Sequence, residues 1–214
     1  MNINTDIARA LYELQVKNPA YLVIIAGGYL RDIARGVEPK DVDVFLAPLT
    51  ESHQPAINVP TDYALLYNVH HTKTSFGRDM AARGLDRVIG LQNINLSTQE
   101  VQLIIYSKPM SVQEIVHDMD INICQIGFDG ITTYKSGAYL SGHSTKTIVC
   151  MIDYDPARMV SRVKRMHKKF PDYEYPTIPL TENAEFAFPA IEGQSGFACK
   201  DSEFSRAAGS FVGE

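Results

Sequence analysis

The chain has 214 residues, 45% hydrophobic and 21% charged, with a net charge of −5. It can bury a core as one large domain, and no stretch reaches the roughly 20 apolar residues of a membrane span. The opening MNINTDIARALYELQVKN lacks a basic segment followed by an apolar block, and the scattered Cys124, Cys150 and Cys199 form no CxxC pair, which predicts a reducing, cytoplasmic setting without zinc.

Thr5 reads as the N-cap of a first helix, with Ile7, Leu11, Leu14 and Val16 as its apolar stripe. YLVIIA (21–26) is a buried strand ending at Gly27-Gly28, and YLRDIARG (29–36) is a short helix stopped by Gly36. DVDVFLA (41–47) alternates acid with apolar and is a second strand. Three prolines mark 48–60 as loop, and TDYALLYNV (61–69) reads as helix. RVIGLQNINL (87–96) and VQLIIYS (101–107) form a hairpin pair. SVQEIVHDM (111–119) opens with a capping box of Ser111 and Glu114, and INICQIGFD (121–129) is a strand ending at the Asp129-Gly130 turn. DPARMVSRVKRMHKKF (155–170) is a helix capped by Asp155, with Pro156 in its first position. Residues 171–214 hold eight acids against Lys200 and Arg206 and read as an extended acidic tail. The expected division is a body at 1–153, a basic neck helix at 154–170 and the tail.

Asp41 and Asp43 project to one face of their strand, about 6–7 Å apart. Like charges so placed repel, and a divalent cation removes the repulsion; paired carboxylates beside phosphate oxygens suit Mg²⁺ or Mn²⁺. The alternative is an exposed edge strand with its acids outward. Gly27-Gly28 follows a strand and opens a helix, where backbone N–H groups favour phosphate and the missing Cβ admits it closely. Together these features describe a nucleoside-triphosphate site. Arg31 is placed to contact phosphate, and Asp32 to bond backbone or a ribose; ordinary pairing on a helix surface is the other reading of both.

GGYLRD followed by KDVDVF resembles the signature of the DNA polymerase β-type nucleotidyltransferases, above all the head of tRNA nucleotidyltransferases and bacterial poly(A) polymerases. HDMDINICQIGFDG (117–130) is similar to that family's R-R-D-F-T-I-N-A segment, placing Asp118 and Asn122 on its Asp and Asn. DPARMVSRVKRM (155–166) is similar to its D-P-x-R-x-x-R helix. The resemblance covers residues 21 to about 170 in the family's order. It implies an α/β fold of the α+β type, a small mixed sheet flanked by helices. It also implies transfer of a nucleoside monophosphate from an NTP to a hydroxyl on RNA, a protein or a small molecule, with pyrophosphate released. Asp41 and Asp43 would hold two Mg²⁺ or Mn²⁺ ions, Gly27 and Gly28 would cradle the phosphates, and Arg31, Asp32, Asp118, Asn122 and the basic helix would meet the rest of the nucleotide.

The family's third carboxylate falls at Gln102, an amide that cannot act as a base; Glu100 shares its strand face one pleat away. Without either, the fold is a catalytically degenerate module that binds nucleotide or nucleic acid. Val116-His117 replace the family's paired arginines, and the 44 tail residues leave no room for its tRNA-binding domains, so CCA addition is not expected. Arg158, Arg162, Arg165 and Lys169 line one face of the last helix and are read as a phosphate or nucleic-acid contact as readily as a solvated face. GAYLSGHS (137–144) has His143 where a phosphate-binding loop needs lysine. His70-His71 read as a loop pair, Asp120 as a solvent-facing or strand-start residue, and Tyr173 and Tyr175 as anchors of the tail.

Overall fold

A computed structural model describes residues 3–51, 56–70, 83–93, 99–151 and 156–175. Seven strands form one mixed sheet in the order β3-β4-β5-β2-β1-β6-β7, and every neighbouring pair is antiparallel except β2 with β5. The first helix α1 (Thr5–Lys17) is capped by Asn4, whose side chain accepts the Asp6 N–H at 2.8 Å. Thr5 is therefore the first helical residue and not the cap. Strand β1 (Tyr21–Ala26) has nearly every residue buried because it lies inside the sheet between β2 and β6. Helix α2 (Gly28–Ala34) follows directly, and Gly36 closes it at φ +68°.

Strand β2 (Asp41–Pro48) is central, flanked by β1 and β5, so the edge-strand alternative is excluded. Val42, Val44 and Leu46 pack with α1 and α2 on one sheet face, while Phe45 and Ala47 pack on the other with Ile115 of α3 (Val112–His117). Residues 63–70, expected as helix, are strand β3 (Tyr63–His70) at the sheet edge. Tyr63, Tyr67 and Val69 are partly covered while Ala64, Asn68 and His70 are exposed, a period of two once a bulge between Leu65 and Tyr67 is allowed for. The expected hairpin pair is present as β4 (Leu85–Asn93) and β5 (Glu100–Tyr106), and α3 carries the expected capping box.

The strand expected at 121–129 is shorter. Asn122–Cys124 is a 3₁₀ turn, and only Ile126–Phe128 pairs as β6. Asn122 imposes the turn: its amide donates to the Thr147 carbonyl at 2.9 Å and its carbonyl accepts the Val149 N–H at 2.9 Å. Strand β7 (Thr133–Lys135) and helix α4 (Gly137–Thr145) follow, so GAYLSGHS is helical. Helix α5 (Pro156–Lys169) is docked on the body: Met166 and Phe170 are buried with Ile121, Ile123, Cys124 and Ile148. The first residues beyond it are also held, since Tyr173 is buried, its hydroxyl lies 2.7 Å from His143 Nδ1, and Glu174 exchanges backbone bonds with 146–148. Asp155 as a cap, His71, and the acidic segment 176–214 lie outside the described residues. Among the described residues no helix is long and apolar enough to cross a membrane.

Candidate active site

The two aspartates stand where β2 begins, on the α3 side of the sheet. Parallel pairing with β5 sets Asp41 against Glu100 and Asp43 against Gln102, and paired residues in a sheet share a face. Three carboxylates and one amide therefore crowd one patch. Burial pushes the Asp43 carboxyl up to about 7, with the Asp41 and Glu100 charges adding to the rise and Arg162 and Arg31 opposing it. A glycine turn closes this patch from β1. Gly27 has φ +84° and ψ −131°, and a Cβ there would lie 3.3 Å from Met119 Sδ and 3.9 Å from Asp43 Oδ2. Glycine is needed for the backbone angle, and the Met119 sulfur would crowd a Cβ there, while Asp43 lies at ordinary contact distance. The Gly27 N–H donates to the Ile126 carbonyl at 2.9 Å, so this amide is committed to the sheet.

Glu100 is fixed by two donors. Gln102 Nε2 donates to Glu100 Oε1 at 3.0 Å, and the Tyr67 hydroxyl donates to the same oxygen. Tyr67 reaches β5 from β3, across the intervening β4, because Gly90 leaves room: a Cβ at Gly90 would lie 2.3 Å from the Tyr67 ring. Burial, Glu100 and the two aspartates all raise the Tyr67 proton affinity. Among the described residues no three His, Cys, Asp or Glu side chains converge as a ready metal cage.

Solved structures share this fold. A tRNA-processing enzyme in an apo form superposes at a TM-score of 0.52 and 16% identity, over 82% of this chain and 45% of that one. A CCA-adding enzyme complexed with ATP gives 0.53 and 14%, over 82% and 41%. The Thermotoga maritima CCA-adding enzyme complexed with tRNA gives 0.52 and 13%, over 82% and 40%. This chain shares the fold of part of these CCA-adding and tRNA-processing enzymes. It spans less than half the length of these structures. No family model matches the sequence, and no curated protein matches it.

The remaining candidate residues occupy this head unequally. Arg31, expected on a helix surface or on phosphate, is 4% exposed and closed in on every side. It pairs with Asp32 at 2.6 Å, donates to Cys124 Sγ at 3.0 Å and Met166 Sδ at 3.3 Å, and lies 5.3 Å from the Phe170 ring centroid. Asp32 also accepts Lys169 Nζ at 2.5 Å, so the Arg31-Asp32 pair ties α2 to α5 and is not a surface pair. Asp118 caps α3 and accepts Arg83 Nε at 3.0 Å and the Tyr106 hydroxyl at 3.0 Å. Asn122 is committed to 147–149 as described.

The basic stripe divides in two. Arg162 and Lys169 turn inward to Asp120 and Asp32, whereas Lys164, Arg165 and Lys168 are exposed; the Arg158 side chain lies outside the described residues. Asp120 is 6% exposed, contrary to the solvent-facing expectation, because Arg162 neutralises it. Sequence reasoning passed over Tyr67, Gly90 and Arg83. A lone glycine amid the apolar β4 was the one available signal, since it marks a close approach by a neighbour.

Proposed function

We propose that this head transfers a nucleoside monophosphate from an NTP to a hydroxyl acceptor in a metal-dependent reaction. The observation that carries the reading is the convergence of Asp43 with the Gly27 turn on the sheet face that also bears Asp41 of β2 and Glu100 of β5. The donor set fits a hard cation. Burial and then the neighbouring Asp41 charge raise the cost of charging Asp43, and a divalent ion lowers that cost. Asp41 and Asp43 would hold Mg²⁺ or Mn²⁺, which when bound neutralises phosphate charge and favours ionisation of the attacking hydroxyl.

The chain's own residues supply the remainder. The Gly27-Gly28 turn has no side chain to obstruct phosphates, and Arg162 adds positive charge that acts on Asp43. The acceptor oxygen attacks the α-phosphorus in line; its bond forms as the bond to the bridging β-phosphate oxygen breaks, and pyrophosphate leaves. The hydroxyl proton passes to a carboxylate of the patch, and Glu100, held by Tyr67 and Gln102, is the third one available. RNA, a protein or a small molecule supplies the hydroxyl. CCA-adding enzymes complexed with ATP, CTP and tRNA share the fold, which makes RNA the first acceptor to test.

A second reading, a binding module without catalysis, is favoured by one observation: Gln102 stands opposite Asp43, and no third ligand converges on the aspartates among the described residues. Incubation with each α-labelled NTP, Mg²⁺ or Mn²⁺, and pooled RNA separates the two. The transferase reading expects label transfer that drops at least about a hundredfold in Asp41→Asn and Asp43→Asn. Tight nucleotide binding with no transfer in either metal leaves the binding module.

A further inference from the structure

Two arginines lie close to the Gly27-Gly28 turn, Arg31 beside Gly28 and Arg162 through Asp120, the neighbour of Met119, and they differ in what else they can do. Arg31 is enclosed by Asp32, Cys124, Met166 and Phe170. Arg162 is held along one edge only, with Nε 2.6 Å from Asp120 Oδ2 and Nη2 2.7 Å from Asp120 Oδ1. Its side chain is 25% exposed, and among the described residues its Nη1 edge has no hydrogen-bond partner. A guanidinium carries five N–H donors in a rigid fork, so an acid on one edge fixes the plane and aims the other edge at a second anion.

The acid is itself buried. Asp120 directly follows Met119, whose sulfur abuts Gly27, and its carbonyl accepts the Met151 N–H at 2.8 Å. A buried carboxylate beside a phosphate site is unfavourable unless it serves a cation, and Arg162 reaches it from 42 residues away.

We infer that Asp120 is a positioning residue: it holds Arg162 with its open edge toward the triphosphate of a bound NTP, between α5 and the Gly27 turn. This rests on the nucleotide reading above. Asp120 touches no phosphate; it acts through the arginine, so its loss and the loss of Arg162 are the same event.

The test measures binding of Mg²⁺ with α,β-methylene-ATP to the full chain by calorimetry. Asp120→Asn is expected to weaken binding about tenfold, and Arg162→Ala by a similar factor. The double variant should be no more than about twofold weaker than either single, because the pair acts as a unit. Asp120→Glu, which keeps the charge but shifts the arginine, should lose about threefold. Melting without nucleotide reads the structural cost separately, and if Asp120→Asn does not fold, Asp120→Glu serves in its place. Wild-type affinity in the folded Asp120 variant, or losses that multiply in the double variant, overturns this inference alone. A wild-type chain that binds no analogue overturns the nucleotide reading with it.

Discussion

Burial and the neighbouring Asp41 charge raise the Asp43 carboxyl from 3.8 to about 7, so near neutral pH it holds a proton for much of the time. A group with a raised folded-state value takes up a proton on folding. Its contribution favours the fold below about pH 4 and is lost as pH rises through about 7. Asp43 is partly accessible to solvent, and the loss is on the order of 1–2 kcal/mol after allowance for screening. Thermal melting from pH 5 to 8 without divalent metal should therefore fall by several degrees in the wild type and stay flatter in Asp43→Asn. Equal slopes would remove Asp43 as the cause. A metal ion held as proposed would displace the same proton, so Mg²⁺ should restore the wild type most at pH 7 and above.

At the scale of elements, the local features were legible and the crossings were not. The Gly27-Gly28 turn and the Asp41-Asp43 strand follow from backbone conformation and a period of two, which a single segment contains. The β3 segment misled because YALLY also suits a helix, and only pairing with β4 decides its state. The span of Tyr67 over Gly90 to Glu100 joins three strands, and the Arg162-Asp120 pair joins a helix to a loop; neither leaves a periodic trace. Gly90→Val tests the strand crossing. The new side chain would displace the Tyr67 ring and destabilise the fold by about 2 kcal/mol, and a second change, Tyr67→Ala, should recover part of the loss. No recovery would mean that the ring is not what Gly90 accommodates.

Across the whole molecule, α5 packs against the body. Its Arg162 and Lys169 face Asp120 and Asp32, its Met166 and Phe170 enter a core with Cys124, and the segment after it is pinned by Tyr173. The stripe pattern found both sets of residues, yet it could not say which basic side chains turn inward, because that depends on acids 42 and 137 residues away. The consequence is a fold in which the last helix bears electrostatically on the Asp41-Asp43 strand through Arg162.

The central claim is that Asp41 and Asp43 form a metal–triphosphate centre, and Mn²⁺ titration tests it directly. Manganese binding, followed by electron paramagnetic resonance with and without α,β-methylene-ATP, should be strengthened about tenfold by the nucleotide in the wild type. That gain should vanish in Asp41→Asn and Asp43→Asn while both variants stay folded. Nucleotide-strengthened Mn²⁺ binding that persists in the double variant Asp41→Asn/Asp43→Asn would contradict the assignment.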